Sequence, residues 1–259
     1  IYTYELSTNK LNKITSTLNS NINPKDLVNA EVIRYESFDG LEIPAILYKP
    51  HLASKKNKVP ALVWVHGGPG GQSRVGYRAL IQYLVNHGYA ILAVNNRGSS
   101  GYGKTFYALD DQNHGEDDLQ DCVWGKKWLQ EQDYINPDKI GIMGFSAGGA
   151  VTMEATYKSE EKNRPNFIAS IYPWMVIVED QEPPSYGPPL FMACTTEDSW
   201  KLSSRCAELY IEWVRKGFIS ELHNYHHGAH GFGMRKTGYP VDNWFNNMVN
   251  WIEAVGMLN

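Results

Sequence analysis

The sequence predicts an α/β fold, with a mostly parallel sheet of eight strands and helices on both faces. Three observations predict it. Short, nearly continuous apolar runs recur along the chain, as in residues 60–67 (PALVWVHG) and 89–96 (YAILAVNN), and such runs mark strands buried on both faces. Between them lie stretches with apolar residues at helical spacing, such as Leu119, Val123, Trp124, Trp128 and Leu129 within residues 117–131. Strands that alternate with helices form a parallel sheet with helices on its faces. The composition is that of a globular chain, 42% hydrophobic and 20% charged over 259 residues, and that length suffices for a large core.

The elements follow in order. Residues 1–15 alternate Tyr2, Tyr4 and Leu6, turn at Ser7–Lys10, and resume with Leu11 and Ile14, which reads as a hairpin. A two-stranded hairpin is marginal alone, so it is expected to pack on the body or to be a piece of something larger. Residues 1–30 are read as this appendage and its linker, and 31–259 as one α/β domain. Two short strands flank the turn Phe38–Gly40, giving one antiparallel edge. The remaining strands are read at 60–65, 89–96, 139–145, 167–173, 189–195 and 219–225. Helices are read at 77–87, stopped by Gly88, and at 117–131, 146–158, 202–216 and 241–255.

Several function classes are disfavoured. The net charge of −4, without long runs of like charge, offers no surface for nucleic acid or anionic membranes. The apolar runs are far too short to span a bilayer. Three cysteines, Cys122, Cys194 and Cys206, have no metal-type spacing and are expected to be free thiols. The chain opens on Ile1 without a signal-like segment, and its compartment and oligomeric state are left open.

Ligands of open α/β sheets bind beyond the carboxyl ends of the strands, so the residues just after each strand are the candidates. Ser146 follows the strand at 139–145 and sits in Gly144-Phe145-Ser146-Ala147-Gly148, before a helical stretch. A serine hydroxyl is a nucleophile only when a base takes its proton, and a sharp turn between glycines exposes it. The competing reading is a structural turn serine. His66-Gly67-Gly68-Pro69-Gly70-Gly71 follows the strand at 60–65. Glycine N–H groups beside a nucleophile stabilise the oxyanion of an acyl-transfer intermediate, and Gly68 and Ala147 are assigned as those donors. A phosphate cradle is disfavoured, because neither nucleotide-loop spacing is present. His66 itself is read as structural. Thr196-Glu197-Asp198 follows the strand at 189–195, and His226, His227 and His230 follow the last strand. This is the order serine, acid, histidine, with Asp198 or Glu197 as the acid. Metal binding by the histidine cluster is the alternative, and no other spacing supports it.

These motifs resemble the catalytic domain of the prolyl oligopeptidase family, an α/β-hydrolase fold. The resemblance covers about residues 1–160 and rests on VWVHGGPGGQ, AVNNRGSSGYGKTF, GEDDLQDCVWGKKWL and YINPDKIGIMGFSAGG. The hairpin resembles the last blade of that family's propeller. The C-terminal third, with PPLFMACTTEDSW and ISELHNYHHGAHGFGM, is more similar to small acetyl-xylan-type carbohydrate esterases. That resemblance implies Asp198 and His230 as the acid and base. Two departures stand out: Ala147 follows the serine where the peptidases usually carry an aromatic residue, and the segment before Asp198 is too short for much of a lid. Asn95–Gly103 is expected to buttress the oxyanion loop, with Arg97 pairing a carboxylate. Tyr172 and Trp174 are candidates to wall the acyl pocket, with plain core packing as the alternative.

The resulting expectation is a serine hydrolase acting through an acyl-enzyme, with catalytic Ser146, Asp198 and His230, and needing neither metal nor cofactor. A carboxylesterase on small acyl or carbohydrate-linked esters is preferred. An aminopeptidase or acylaminoacyl peptidase is the alternative, and a hydrolase-fold fragment without activity is a third reading.

Overall fold

The computed structural model describes residues 1–68, 70–174 and 181–258. The hairpin forms as read, from β1 (Tyr2–Glu5) and β2 (Lys10–Lys13), paired antiparallel with Tyr2 opposite Lys13. It makes its own two-stranded sheet, and every residue of both strands is exposed. The apolar side chains of Tyr2, Tyr4 and Leu11 are therefore not buried against the body, contrary to one of the two expectations for them.

The main sheet has eight strands. In chain order the elements are β3 (Ala30–Glu36), β4 (Glu42–Tyr48), β5 (Val59–Val65), α1 (Ala79–Asn86), β6 (Ala90–Val94), α2 (Lys104–Ala108), α3 (Asp117–Gln130), β7 (Ile135–Phe145), α4 (Ala147–Lys158), β8 (Ile168–Ile171), β9 (Leu190–Thr195), α5 (Leu202–Arg215), β10 (Ser220–Tyr225) and α6 (Trp244–Ala254). The strand order is β10-β9-β8-β7-β5-β6-β4-β3. β3 pairs antiparallel with β4 and β4 antiparallel with β6, while all other pairs are parallel.

Alternation along the strands divides the core in two. Ala61, Val63 and Val65 of β5 face α3, α4 and α5, through side chains such as Leu119, Val151 and Trp213. Leu62 and Trp64 face α1 and α6, through Leu84, Trp244 and Met248. Burial of each such apolar side chain stabilises the fold by about 1.5–3 kcal/mol. Gly88 ends α1 as expected, at φ 94°, a conformation that costs a glycine little. Two boundaries shift by three or more residues from the sequence reading, and one helix escaped it. β7 starts at Ile135, four residues earlier than Lys139, because the Asn-Pro-Asp segment stays extended although its polar residues break the apolar run. The closing helix starts at Trp244, after a 3₁₀ turn that Pro240 begins. α2 is five residues long and has no buried face, so no apolar period announces it. All three cysteines are free and buried.

The loop after β6 is held by a charged clamp. Arg97, nearly fully buried, donates to both oxygens of Asp121 (3.0 and 2.9 Å) and both oxygens of Asp39 (3.0 and 3.1 Å). Its backbone N–H also donates to Asp121, whose other oxygen accepts the Ser37 hydroxyl. Paired forks of this kind are the strong form of ion pair, and removing one partner leaves a buried charge exposed to no water. Arg97→Ala strands the fully buried Asp121 and should cost about 3–5 kcal/mol, read as a lower midpoint in urea unfolding. An unchanged midpoint would show that the clamp contributes nothing to stability.

Candidate active site

The candidate residues all follow carboxyl ends of parallel strands. Ser146 lies between β7 and α4 at φ 56°, ψ −120°. This corrects the reading that placed it inside the helix, which starts at Ala147. A positive φ is costly for a serine, and the surrounding backbone over-determines it. The Ser146 N–H donates to the Ile171 carbonyl, while its own carbonyl accepts from Ala150 and Trp174. The two flanking glycines are required by contact distance. A Cβ on Gly148 would stand 2.3 Å from the His66 carbonyl oxygen and 2.5 Å from that of Val65. One on Gly144 would stand 2.2 Å from the Gly148 oxygen. The helix therefore starts in backbone contact with the loop after β5.

A hydrogen-bonded chain runs from Ser146. Its Oγ lies 2.8 Å from His230 Nε2, and His230 Nδ1 lies 2.7 Å from Asp198 Oδ2. An ionised carboxylate only accepts, so Nδ1 carries the hydrogen and Nε2 faces the serine as an acceptor. Asp198 is buried, and its other oxygen takes the Trp200 N–H at 2.9 Å. Glu197, the other acid considered, points elsewhere: it bonds His227 Nδ1 at 2.9 Å and accepts from the Gly228 N–H. Its carboxyl is held below the usual range by that backbone N–H and by His227. His226 contacts Thr196. Of the three histidines, His230 alone meets the serine, and Glu197 and His227 tie down the loop that carries it.

Gly68 and Ala147 line the cavity beside Ser146. Ala147 is the first residue of α4, where N–H groups have no partner within the helix and the helix dipole favours negative charge. Pro69 lies outside the described residues. His66 is structural, as read. Its Nε2 lies 2.8 Å from the Ser99 hydroxyl, which donates to the Asn96 carbonyl, and burial pushes its pKa down. The loop after β6 does brace the glycine loop: the Asn95 amide bonds both the N–H and the carbonyl of Ser73, and the Ser100 N–H donates to the Gly71 carbonyl.

The cavity holds about 580 Å³, and Trp174 lines it. Tyr172 does not, which corrects its assignment to the pocket. It is buried behind the site with its ring edge-on to His230 at 5.2 Å and to Phe232 at 4.6 Å. It packs in the core and lines a separate cavity of about 320 Å³ with Trp64, Phe145 and Trp244. The stretch between Trp174 and Gln181 lies outside the described residues, so the expected shortage of room for a lid has no structural counterpart there. Tyr107, Asp110, Asp111, His114 and Trp200 also line the cavity and escaped sequence reading. Trp200 stands two residues beyond Asp198, a signal that was there to use. The others come from the polar segment around α2, where no periodicity marks a face. His114 lies between Asp110 and Asp118; burial opposes its charge, but the two carboxylates outweigh it and push its pKa up to about 10.

Fold and site define a class: this is a domain of the α/β-hydrolase fold with a serine, histidine and aspartate hydrogen-bonded in line beyond the carboxyl ends of its strands. Residues 75–164 match the sequence profile of the prolyl oligopeptidase family, so that part of the resemblance holds, while the likeness of the C-terminal third to carbohydrate esterases gains no support. The chain is 35% identical over 164 residues to dipeptidyl aminopeptidase BIII of Pseudoxanthomonas mexicana, covering 59% of this chain and 23% of that protein. It is 30% identical over 112 residues to the acylamino-acid-releasing enzyme of Sus scrofa, covering 43% of this chain and 15% of that one. Among solved structures, a puromycin hydrolase superposes with a TM-score of 0.83 at 17% identity, covering 96% of this chain and 43% of its own. Pyrococcus horikoshii acylaminoacyl peptidase gives 0.74 at 23% identity, covering 88% and 42%. The chain thus spans less than a quarter of these curated relatives and less than half of the solved chains.

Gly148→Ala tests the backbone contact beneath the serine. Two carbonyls cannot both retreat, so the variant should lose at least about 1–3 kcal/mol and melt several degrees lower. Wild-type melting would mean that the helix and the glycine loop move freely.

Proposed function

We propose that this chain is the catalytic part of a serine peptidase, acting near the amino end of peptides as an aminopeptidase, dipeptidyl peptidase or acylaminoacyl peptidase. The observation that carries the proposal is the Ser146–His230–Asp198 chain of hydrogen bonds opening on a cavity, in a chain whose residues 75–164 match the prolyl oligopeptidase family. The named peptidase relatives support this reading over the carboxylesterase preferred from the C-terminal motifs. The aromatic walls, Tyr107, Trp174 and Trp200, and the 580 Å³ volume suit an aminoacyl group better than an acetyl group alone.

His230 Nε2 takes the Ser146 proton as Oγ attacks the scissile carbonyl carbon. Asp198 keeps Nδ1 protonated and stabilises the imidazolium that forms. The carbonyl oxygen, now negative, receives hydrogen bonds from the N–H groups of Gly68 and Ala147. The imidazolium returns its proton to the leaving nitrogen, the C–N bond breaks, and an acyl-serine remains. Water, deprotonated by His230, then attacks the acyl carbon and releases Ser146 with its proton restored.

Ser146→Ala should lower turnover by at least about 10⁴-fold, and Asp198→Asn by about 10⁴-fold, with unchanged circular dichroism. Retained turnover in Ser146→Ala would sink the assignment. Substrate class is decided by a panel of aminoacyl, dipeptidyl and N-acetyl-aminoacyl nitroanilides set against nitrophenyl acetate and butyrate. Cleavage of at least one anilide class, abolished by Ser146→Ala, is expected. Turnover of the esters with none of the anilides returns the chain to the carboxylesterase reading. Failure of a fluorophosphonate probe to label Ser146 points to the inactive-fragment reading.

A further inference from the structure

Asp110, His114 and Asp118 form a compact donor set in the wall of the same cavity. Asp110 lies just beyond α2, Asp118 is in the first turn of α3, and His114 is in the turn between them. One ligand atom from each lies within 4.8 Å of the others. Asp110 Oδ2 stands 3.4 Å and Asp118 Oδ2 2.7 Å from the same atom, His114 Nδ1. The side chains of Asp118 and Asp110 are 0% and 8% exposed.

Their hydrogen bonding is incomplete. Asp118 Oδ1 accepts the Gly115 N–H at 2.7 Å, which fixes that carboxylate. Asp110 Oδ1 and His114 Nε2 are buried without a hydrogen-bond partner, and His114 Nδ1 and Asp118 Oδ2 meet only in the ion pair of this cluster. Buried polar atoms without partners are rare and costly. Here they belong to one constellation, with two carboxylate oxygens aimed at one imidazole nitrogen. The cluster is also braced from outside. A Cβ on Gly98 would stand 2.3 Å from that of Asp110, and the His114 ring stacks against Trp174 at 6.4 Å.

We propose that Asp110, His114 and Asp118 bind one divalent metal ion of the zinc class. One imidazole nitrogen with two carboxylate oxygens is a borderline donor set that suits zinc better than calcium or magnesium, which take oxygen ligands. Two carboxylates balance its charge. Tetrahedral zinc bonds of about 2.1 Å put neighbouring ligand atoms about 3.4 Å apart. The Asp110–His114 edge already has this length, and the Asp118 edge needs to open by about 0.7 Å. Three protein ligands leave a fourth position, and because Asp110 and His114 line the cavity that contains Ser146, this position opens toward bound substrate. The inference does not rest on the peptidase reading.

The test is calorimetric titration of Zn²⁺ into chelator-stripped protein, with metal analysis after gel filtration. One equivalent is expected. His114→Ala and Asp110→Asn should each weaken it at least about tenfold, as loss of even outer-shell support does in known sites. Asp118→Asn should do the same, and if that buried change unfolds the chain the other two variants decide. His227→Ala is the control, because Glu197, His226 and His227 form a second, more exposed group of possible ligands. Its one equivalent should persist. Absence of binding would overturn the proposal and leave a proton as the group that holds the two carboxylates. Loss of the equivalent in His227→Ala but not in His114→Ala would overturn it in favour of the other cluster. Equally tight binding of Ca²⁺ would overturn the zinc-class assignment.

Discussion

The constraint on which the rest depends is the approach of α4 to the loop after β5. Gly148 sits so close to the carbonyls of Val65 and His66 that no side chain fits between them. This contact sets where the helix can begin, and therefore forces Ser146 into its positive-φ turn. It also brings the first N–H of the helix beside the glycine loop. One steric requirement thus places the hydroxyl and both candidate oxyanion donors. Strain at Ser146 is the local cost, and the three hydrogen bonds at its backbone, with β8, α4 and Trp174, offset it.

The glycine loop has few side chains of its own to hold it, so its shape comes from the neighbour after β6. Asn95, Ser99 and Ser100 bond Ser73, His66 and Gly71 respectively. That neighbour is fixed in turn by Arg97 between Asp39 and Asp121, one residue from the β3–β4 turn and one from α3. Order therefore passes from an ion pair remote from the serine, through a loop, to the backbone groups beside it. A buried pair of this kind gains little over an apolar replacement in stability, but it fixes direction, because a guanidinium fork donates to carboxylates only in its own plane.

Much of this was legible in the sequence because it depends on local pattern. Apolar runs marked the strands, and Gly144-Phe145-Ser146-Ala147-Gly148 marked the turn before any packing was known. The choice of Asp198 and His230 rested on chain order and resemblance, and the geometry now shows why Glu197 and His227 stand apart: they bond each other. What could not be read depends on residues brought together by the third dimension. Tyr172 lies two residues from Trp174, yet one is buried behind His230 and the other faces the cavity. Strand alternation would put residues two apart on one face; the irregular backbone after β8, with Tyr172 at φ 37°, breaks that pattern and separates them. Asp110, His114 and Asp118 sit at four-residue intervals but across turns and the start of α3 instead of in one helix, so their convergence has no periodic signature.

The order serine, acid, histidine is itself a consequence of the sheet. β7, β8, β9 and β10 are successive neighbours running outward from the centre in one direction. Strands about 4.8 Å apart put the end of β10 about 14 Å from that of β7, so a histidine at its tip would fall short of the serine. His230 stands five residues beyond Tyr225, and five extended residues reach about 17 Å. The loop must therefore fold back across the sheet, and Asp198, just past the intervening β9, lies on its path. Thr195 and Glu197, from the same strand end, grip Gly228 as the loop passes. The strand end that supplies the acid also steers the histidine, which explains why two neighbouring acidic residues have separate tasks: Asp198 orients the imidazole and Glu197 holds the loop that delivers it.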